Sequence, residues 1–347
     1  VVSIYKCLKA SKLQILCFIH SKISWTEGKK MKIGFIGCGN VGGKLSHSLL
    51  RNGFDLVVRD LDMAVAQSLL DEGATWAESP KQVAESCEIV ITCLPSPAAC
   101  KEVMEAADGV LAGLSEGKVW MEMSTTDETE VRRIGHLVKE LGAHPVDCPV
   151  SGGCHRAATG NISIFVGGER EAFEKIFPVV TAMGRNILHT GPLGSASILK
   201  VLTNYLASAN LVSLAEALTT ASAAGMDLNT TYEAIRISSG NSFVHETESQ
   251  VILNGSRNIN FTMDLVLKDV SLFDQIAERY GIPLELSPML VKIFKDGMER
   301  YGQREWSSNI IRRLEDATSI HVRAPGFPDE ITSEEEEVEG QEVIPTR

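Results

Sequence analysis

Paired cysteine spacing is missing from this chain. Its eight cysteines form no CxxC and no set of matched intervals. Cys38, Cys93, Cys148 and Cys154 lie in or beside apolar runs. That argues against a disulfide scaffold or a zinc ribbon and leaves small, reduced core residues of a cytosol-like compartment. Positive charge is also short. There are 33 Lys and Arg against 45 Asp and Glu, a net charge of −12, so a groove for nucleic acid is not what the surface is built for. No apolar run reads as long enough for a transmembrane helix. No internal repeat appears, and no His/Cys/Asp cluster has metal-ligand spacing, so no metal is expected. These absences leave small molecules as partners, with neither nucleic acid nor membrane.

The charge is uneven. Residues 324–347 hold eight carboxylates and one Arg, including the run Glu334 to Glu337, while residues 1–30 hold six Lys and one Glu. The tail has too little apolar surface to offset the entropy of ordering it, so residues 323–347 are expected to be disordered. The leader, residues 1–30, is basic and Ser-bearing but lacks Arg. Met31 directly precedes the first strand pattern and is expected to be the natural start, with the leader outside the fold. The location is then cytoplasmic; a transit peptide and a mitochondrial matrix location are the alternative.

From Met31 the pattern alternates. Short apolar runs at "KIGFIG", "DLVVRD", "EIVITCLP", "KVWMEMST", "HPVDCPV", "ISIFVGG" and "NILHTG" are separated by helical spacings. β-Branched strands joined by helices imply crossovers and a largely parallel sheet. After Gly191 the strands stop. Ser195 to Gly225 runs without Pro or internal Gly, rich in Ala and Leu. A helix of roughly 45 Å at about 1.5 Å per residue is expected there, buried nearly all round by other helices, a second subunit's among them. Helices at 229–238, 264–280 and 284–301 follow. The expected class is α/β, with the chain dividing near residue 190 into an α/β half with a largely parallel sheet and an all-helical half.

Gly37, Gly39 and Gly42 follow the first strand and open a helix. In a dinucleotide turn the first glycine makes the bend, the second lets the backbone approach a pyrophosphate, and the third packs helix on strand. The helix N-terminus, Asn40 and Val41 included, then offers free N–H groups to phosphate. Asp60 ends the second strand, 23 positions after Gly37. A carboxylate there accepts from ribose hydroxyls and repels a 2′-phosphate, which favours NAD. Alone, Asp60 reads equally well as a turn residue, and Arg59 beside it keeps NADP open; strand alternation should point Arg59 away.

"DCPVSGGCHRAATGNISIFVGG" (147–168), "GPLGSASILKVLTN" (191–204) and "LKDVSL" (267–272) resemble the β-hydroxyacid dehydrogenases, the 3-hydroxyisobutyrate dehydrogenase and tartronate-semialdehyde reductase group of the 6-phosphogluconate dehydrogenase superfamily. The resemblance spans about residues 32–318. It implies a Rossmann dinucleotide-binding domain over 31–190 and an all-helical substrate and oligomerisation domain over 191–322, with the active site in the cleft between them. Lys200 matches the family's catalytic lysine and Asn204 its companion. Ser151, Gly152 and Gly153 match the substrate loop, and Lys268 a lysine near cofactor and substrate carboxylate. Leu94, Pro95 and Thr125 match cofactor contacts. The family often has Asn near position 99, where Ala99 stands, and many members have Asn where Thr203 stands. The resemblance implies a homodimer or homotetramer.

Elementary chemistry bears on the same residues. Lys200 and Asn204 lie four apart and share a helix face. A lysine on an apolar face either snorkels to solvent or lines a cleft; in the cleft, desolvation lowers its pKa into the range useful for proton transfer. Ser151-Gly152-Gly153 is otherwise a strand-to-helix turn, and Lys268-Asp269 a surface pair. His155 and Arg156 stand where relatives often have small residues. Arg156 is either a solvated arginine or a receptor for a second acidic group, as on a dicarboxylate or sulfonate. Asn241, Ser242 and His245 are placed between helices, with His245 outside the catalytic set. The expected activity is NAD-dependent interconversion of a small, 3-hydroxyisobutyrate-like 3-hydroxy acid and its semialdehyde. The alternatives are an NADPH-preferring reductase of tartronate, succinic or a related semialdehyde, and a non-catalytic nucleotide-binding scaffold; Lys200 and Asn204 weigh against the last.

Overall fold

The computed structural model describes residues 31–346. The expectations placed on residues 1–30 lie outside the described residues. Ten strands form one sheet: β1 (Lys32–Ile36), β2 (Asp55–Arg59), β3 (Thr75–Trp76), β4 (Ile89–Thr92), β5 (Val119–Glu122), β6 (His144–Asp147), β7 (Val150–Ser151), β8 (Ile162–Gly167), β9 (Gly184–Gly191) and β10 (Gln341–Glu342). Their order is β10-β9-β8-β6-β5-β4-β1-β2-β3, with β7 set on β8. Pairing is parallel from β3 through β6 and antiparallel between β6 and β8. Parallel neighbours need crossovers, supplied by α1 (Asn40–Arg51), α2 (Gln67–Asp71), α3 (Pro80–Ser86), α4 (Pro97–Glu105) and α5 (Glu128–Glu140). The short α6 (Gly153–Ala158) and α7 (Arg170–Met183) complete this half. The apolar residues of β4 and β5 are buried along their whole length because helices cover both sheet faces. The chain leaves β1 towards β2 and β3 and returns to β4 on its other side. That reversal opens a crevice beyond the carboxyl ends of β1 and β4.

Six helices follow: α8 (Ser195–Ala223), α9 (Leu228–Arg236), α10 (Phe243–Asn254), α11 (Met263–Arg279), α12 (Leu286–Tyr301) and α13 (Arg312–Thr318). They enclose a separate core containing Leu211, Leu218, Ile252, Val270, Phe294 and Ile311.

Three expectations are corrected. The segment holding His245 is a helix, α10, capped by the Ser242 hydroxyl, which accepts from His245 N at 3.0 Å. Within the single chain, helix α8 is buried on the side that meets α10, α11 and α12, and Leu206 on its other side is 57% exposed. By length and composition α8 is also apolar enough to cross a membrane, contrary to the sequence reading. The acidic tail is not disordered. Its β10 pairs with β9, and Val343 N donates to Ile187 O at 2.7 Å. Glu342 meets Arg170 through both oxygens, at 2.6 and 3.0 Å. Counting apolar surface missed the arginines that folding gathers opposite these carboxylates.

Candidate active site

The glycine turn is built as its three positions require. Gly37 has φ +96°, and a Cβ on it would lie 2.3 Å from the Cys93 carbonyl oxygen. A Cβ on Gly42 would lie 2.0 Å from the Gly37 carbonyl oxygen, so helix and strand meet backbone to backbone. A Cβ on Gly39 would meet nothing within 4 Å. Gly39 is the N-cap of α1 and brings no side-chain cap. The first-turn N–H groups, those of Asn40 and Val41 among them, therefore face open space and suit an anion.

Asp60 closes the turn from β2. Its Oδ2 accepts from Cys38 N and its Oδ1 from Leu61 N, both at 2.7 Å. The Arg59 guanidinium lies over the Trp76 ring, 5.0 Å from its centroid, and donates to the Asp60 carbonyl rather than the carboxylate. Across the crevice, Leu94 N donates to Ser124 Oγ at 2.7 Å, and Pro95 follows. Ser96 then caps α4 by accepting from Ala99 N, which gives the residue at 99 a backbone role here. Ser124 is itself braced by Glu122, whose carboxylate accepts from Ser124 N at 2.8 Å and Thr92 Oγ1 at 3.0 Å. Burial pushes the Glu122 carboxyl up from its ordinary value, against those hydrogen bonds.

Asp147 ends β6 and clamps the start of α8. Its Oδ1 accepts from Gly194 N at 2.8 Å, and its Oδ2 from Ser197 N at 2.7 Å and Ser197 Oγ at 2.8 Å. A carboxylate on the first turn of a helix satisfies orphan N–H groups and the helix dipole. It also fixes Lys200, one turn further along.

Lys200 is 9% exposed, and its amine is lowered to about 8, chiefly by burial; the Asp269 charge opposes that fall and the Lys268 charge adds to it. A fall of that size disfavours the ammonium by roughly 3 kcal/mol. Asn204, one turn on, donates through Nδ2 to Asp269 Oδ2 at 2.6 Å. Lys268 Nζ lies 2.9 Å from Asp269 Oδ1 but off the hydrogen-bonding direction. It donates instead to the Thr125 carbonyl at 2.7 Å, tying α11 to the turn after β5. Lys268 also walls a cleft of about 450 Å³ with Pro97, Asp127 and Ser271. Thr203 turns its hydroxyl onto the Lys200 carbonyl at 2.9 Å, so the departure there is absorbed within the helix.

The structure thus brings Lys200, Asn204 and Lys268 to Asp269, and Lys268 reaches on to the Thr125 carbonyl. Ser151 is held on β8 opposite Ser163, and α8 packs on that strand. Gly152 and Gly153 have φ +131° and +87°, where a side chain is strained. The Ser151 loop is not hydrogen-bonded to the lysine cluster among the described residues. His245 stays outside the site. Its Nε2 is 2.9 Å from the Tyr232 carbonyl, and burial lowers its pKa.

Asp147, Glu122 and Asp269 were not given roles in the sequence reading. The signal for Glu122 was a carboxylate inside an apolar strand, "VWME". For Asp147 it was a carboxylate at the end of β6, just before "CPVSGG".

Two family descriptions match this chain: "NAD binding domain of 6-phosphogluconate dehydrogenase" over residues 32–191, and "NAD-binding of NADP-dependent 3-hydroxyisobutyrate dehydrogenase" over residues 194–314. The 2-(hydroxymethyl)glutarate dehydrogenase of Eubacterium barkeri is 34% identical over 295 residues, covering 85% of this chain and 98% of that protein. The NAD-dependent L-serine dehydrogenase of Pseudomonas aeruginosa is 32% identical over 295 residues, covering 83% and 98%. A solved 3-hydroxyisobutyrate dehydrogenase from Salmonella typhimurium superposes with a TM-score of 0.74 at 27% identity, covering 82% of this chain and all of that one. With the glycine turn, the clamped lysine helix and these relatives in agreement, the chain belongs to the β-hydroxyacid dehydrogenase family, NAD(P)-dependent oxidoreductases acting on the CH–OH group of hydroxy acids.

Proposed function

We propose that this protein oxidises a small 3-hydroxy acid to its semialdehyde with NAD, and runs the reverse reduction, using Lys200 as general base and acid. The observation that carries this reading is the buried amine of Lys200, poised at about 8 beside Asp269 and Lys268. A scaffold without chemistry would gain nothing from keeping a cation in that environment.

The chain fits a nicotinamide dinucleotide. The open side of Gly39 and the uncapped start of α1 suit the pyrophosphate. Asp60 suits the ribose hydroxyls, and Leu94, Pro95, Thr125 and Lys268 line the later strands' ends. When bound, the cofactor supplies the acceptor for the hydride. The chain's own residues do the rest. Ser151 and the N–H groups of Gly152 and Gly153 hold the substrate carboxylate, with Lys268 adding positive charge. Lys200 Nζ, neutral in part near pH 8, takes the hydroxyl proton during oxidation and returns it in reduction. Asp269 turns the Asn204 amide so that its Nδ2 faces the carboxylate. The Asn204 Oδ1 is then the end left to accept from Lys200 or the substrate hydroxyl.

Initial rates with a panel of 3-hydroxy acids and semialdehydes, followed by absorbance of the reduced nicotinamide, test the assignment. Turnover with none of them overturns it. A second reading, an NADPH-preferring semialdehyde reductase, is favoured by Arg59 next to Asp60; rates with each cofactor separate the two. The exposed side of α8, with Leu199 and Leu206, supports assembly as a homodimer or homotetramer.

A further inference from the structure

The substrate loop is followed at once by an arginine whose one carboxylate partner comes from the far end of the chain. Arg156 sits in α6, three residues after Gly153. Its Cδ lies 3.2 Å from where a Cβ on Gly152 would be, so the side chain runs back over the loop. Its guanidinium rests on the Phe243 ring of α10, 4.9 Å from the centroid, and the His155 ring stacks on the same phenyl. The arginine therefore spans from the substrate loop to the helical half of the molecule.

Among the described residues its charge is answered only by Glu335. Arg156 Nη2 donates to Glu335 Oε1 at 3.2 Å, while Arg185 holds the other oxygen at 3.1 Å and Asn161 holds the Glu335 carbonyl at 2.9 Å. A charge-assisted bond of this type is usually about 2.7–2.9 Å. Arg156 thus makes one long contact, through one of its roughly five N–H donors. The pair is also solvated, with side chains 31% and 44% exposed. Solvated pairs of this kind add little to stability, so another carboxylate can take Arg156 without undoing the fold. The tail keeps its remaining anchors, Glu337 on Arg51 and Glu342 on Arg170.

We infer that Arg156 is the receptor for a second acidic group on the substrate, and that Glu335 occupies it in the substrate's absence. The inference rests on the proposed hydroxy-acid activity and narrows its substrate class to 3-hydroxy acids bearing a distal carboxylate or sulfonate. Gly152 and Gly153 fix the reacting end of such a molecule, and Arg156 selects on the other.

The test compares kcat/KM for two acids that differ at one arm: 3-hydroxyisobutyrate, with a methyl on C2, and 2-(hydroxymethyl)glutarate, with a carboxyethyl there. The wild type should prefer the two-carboxylate acid. Arg156→Gln should lower the ratio of the two kcat/KM values about tenfold or more, the loss expected for one hydrogen-bonded charge pair. Arg156→Lys should restore part of it, and Glu335→Gln should raise it by freeing the guanidinium. A ratio unmoved by Arg156→Gln in an enzyme that turns over both acids overturns the subsite alone, leaving Arg156 a tail anchor. Turnover of neither acid overturns the subsite together with the activity it rests on.

Discussion

Replacing Asp269 by Asn removes one negative charge from beside Lys200 and changes almost nothing in shape. Asp269 is 1% exposed, accepts from Asn204 at 2.6 Å, and its charge holds the Lys200 pKa up against burial and Lys268. An asparagine can still accept from Asn204 through its Oδ1. An opposite charge at such range shifts a pKa by about 1–3 units. Lys200 should therefore drop from about 8 by roughly one unit or more. The sign follows from the reaction direction. Oxidation needs the neutral amine, so its rate rises with pH through the Lys200 pKa, and that limb should move to lower pH. Reduction needs the ammonium, so its rate falls through the same pKa. At pH 8 a one-unit drop leaves about a tenth of the lysine protonated instead of half, a loss of roughly fivefold. The assay is the pH profile of kcat/KM in both directions, with cofactor binding and thermal unfolding measured on the same variant to confirm that it folds. A limb that stays near pH 8 or moves upward would show that Asp269 does not set the charge of Lys200, and the proton-transfer scheme would lose its electrostatic basis.

Three further outcomes are expected. Lys200→Ala should abolish turnover while NAD still binds, as seen by titrating the bound cofactor's fluorescence; full activity would remove the lysine from the chemistry. Asp60→Ala should weaken NAD about tenfold or more while affecting NADP less, and an unchanged ratio of the two dissociation constants would clear Asp60 of that role. Asp147→Ala should lower kcat and destabilise the fold by about 1–3 kcal/mol, because it strips the α8 N-terminus of its buried acceptor; unaltered melting and kcat would show that α8 is positioned by packing alone.

What the sequence carried was whatever depends on local order along the chain. Strands β1, β2, β4, β5, β6, β8 and β9 were legible because residues buried on both faces of a parallel sheet must be apolar. The glycine turn was legible because Gly37 and Gly42 occupy positions where a Cβ would strike backbone oxygen, a demand one residue type meets. The pair Lys200 and Asn204 followed from helical spacing. Helix α10 was not legible: its apolar and polar residues fall without a clear face, and Ser242 as its cap was the available signal.

Tertiary structure decided the rest, and in each case the reason is that a charge has no meaning without its partner. The partners of Asp147, Glu122 and Asp269 cannot be read from a string of letters, yet folding buries each one and turns it into the brace of α8, of the Leu94 turn and of the lysine cluster. The acidic tail looked unfoldable because its own apolar content is low. It is placed by Arg51, Arg156, Arg170 and Arg185, which lie 150 to 286 positions before the carboxylates they meet and become neighbours only when the sheet edge forms. Hydrophobic patterning is written in sequence neighbours a few residues apart, whereas Coulomb energy and hydrogen bonding depend on distances that only the completed fold sets.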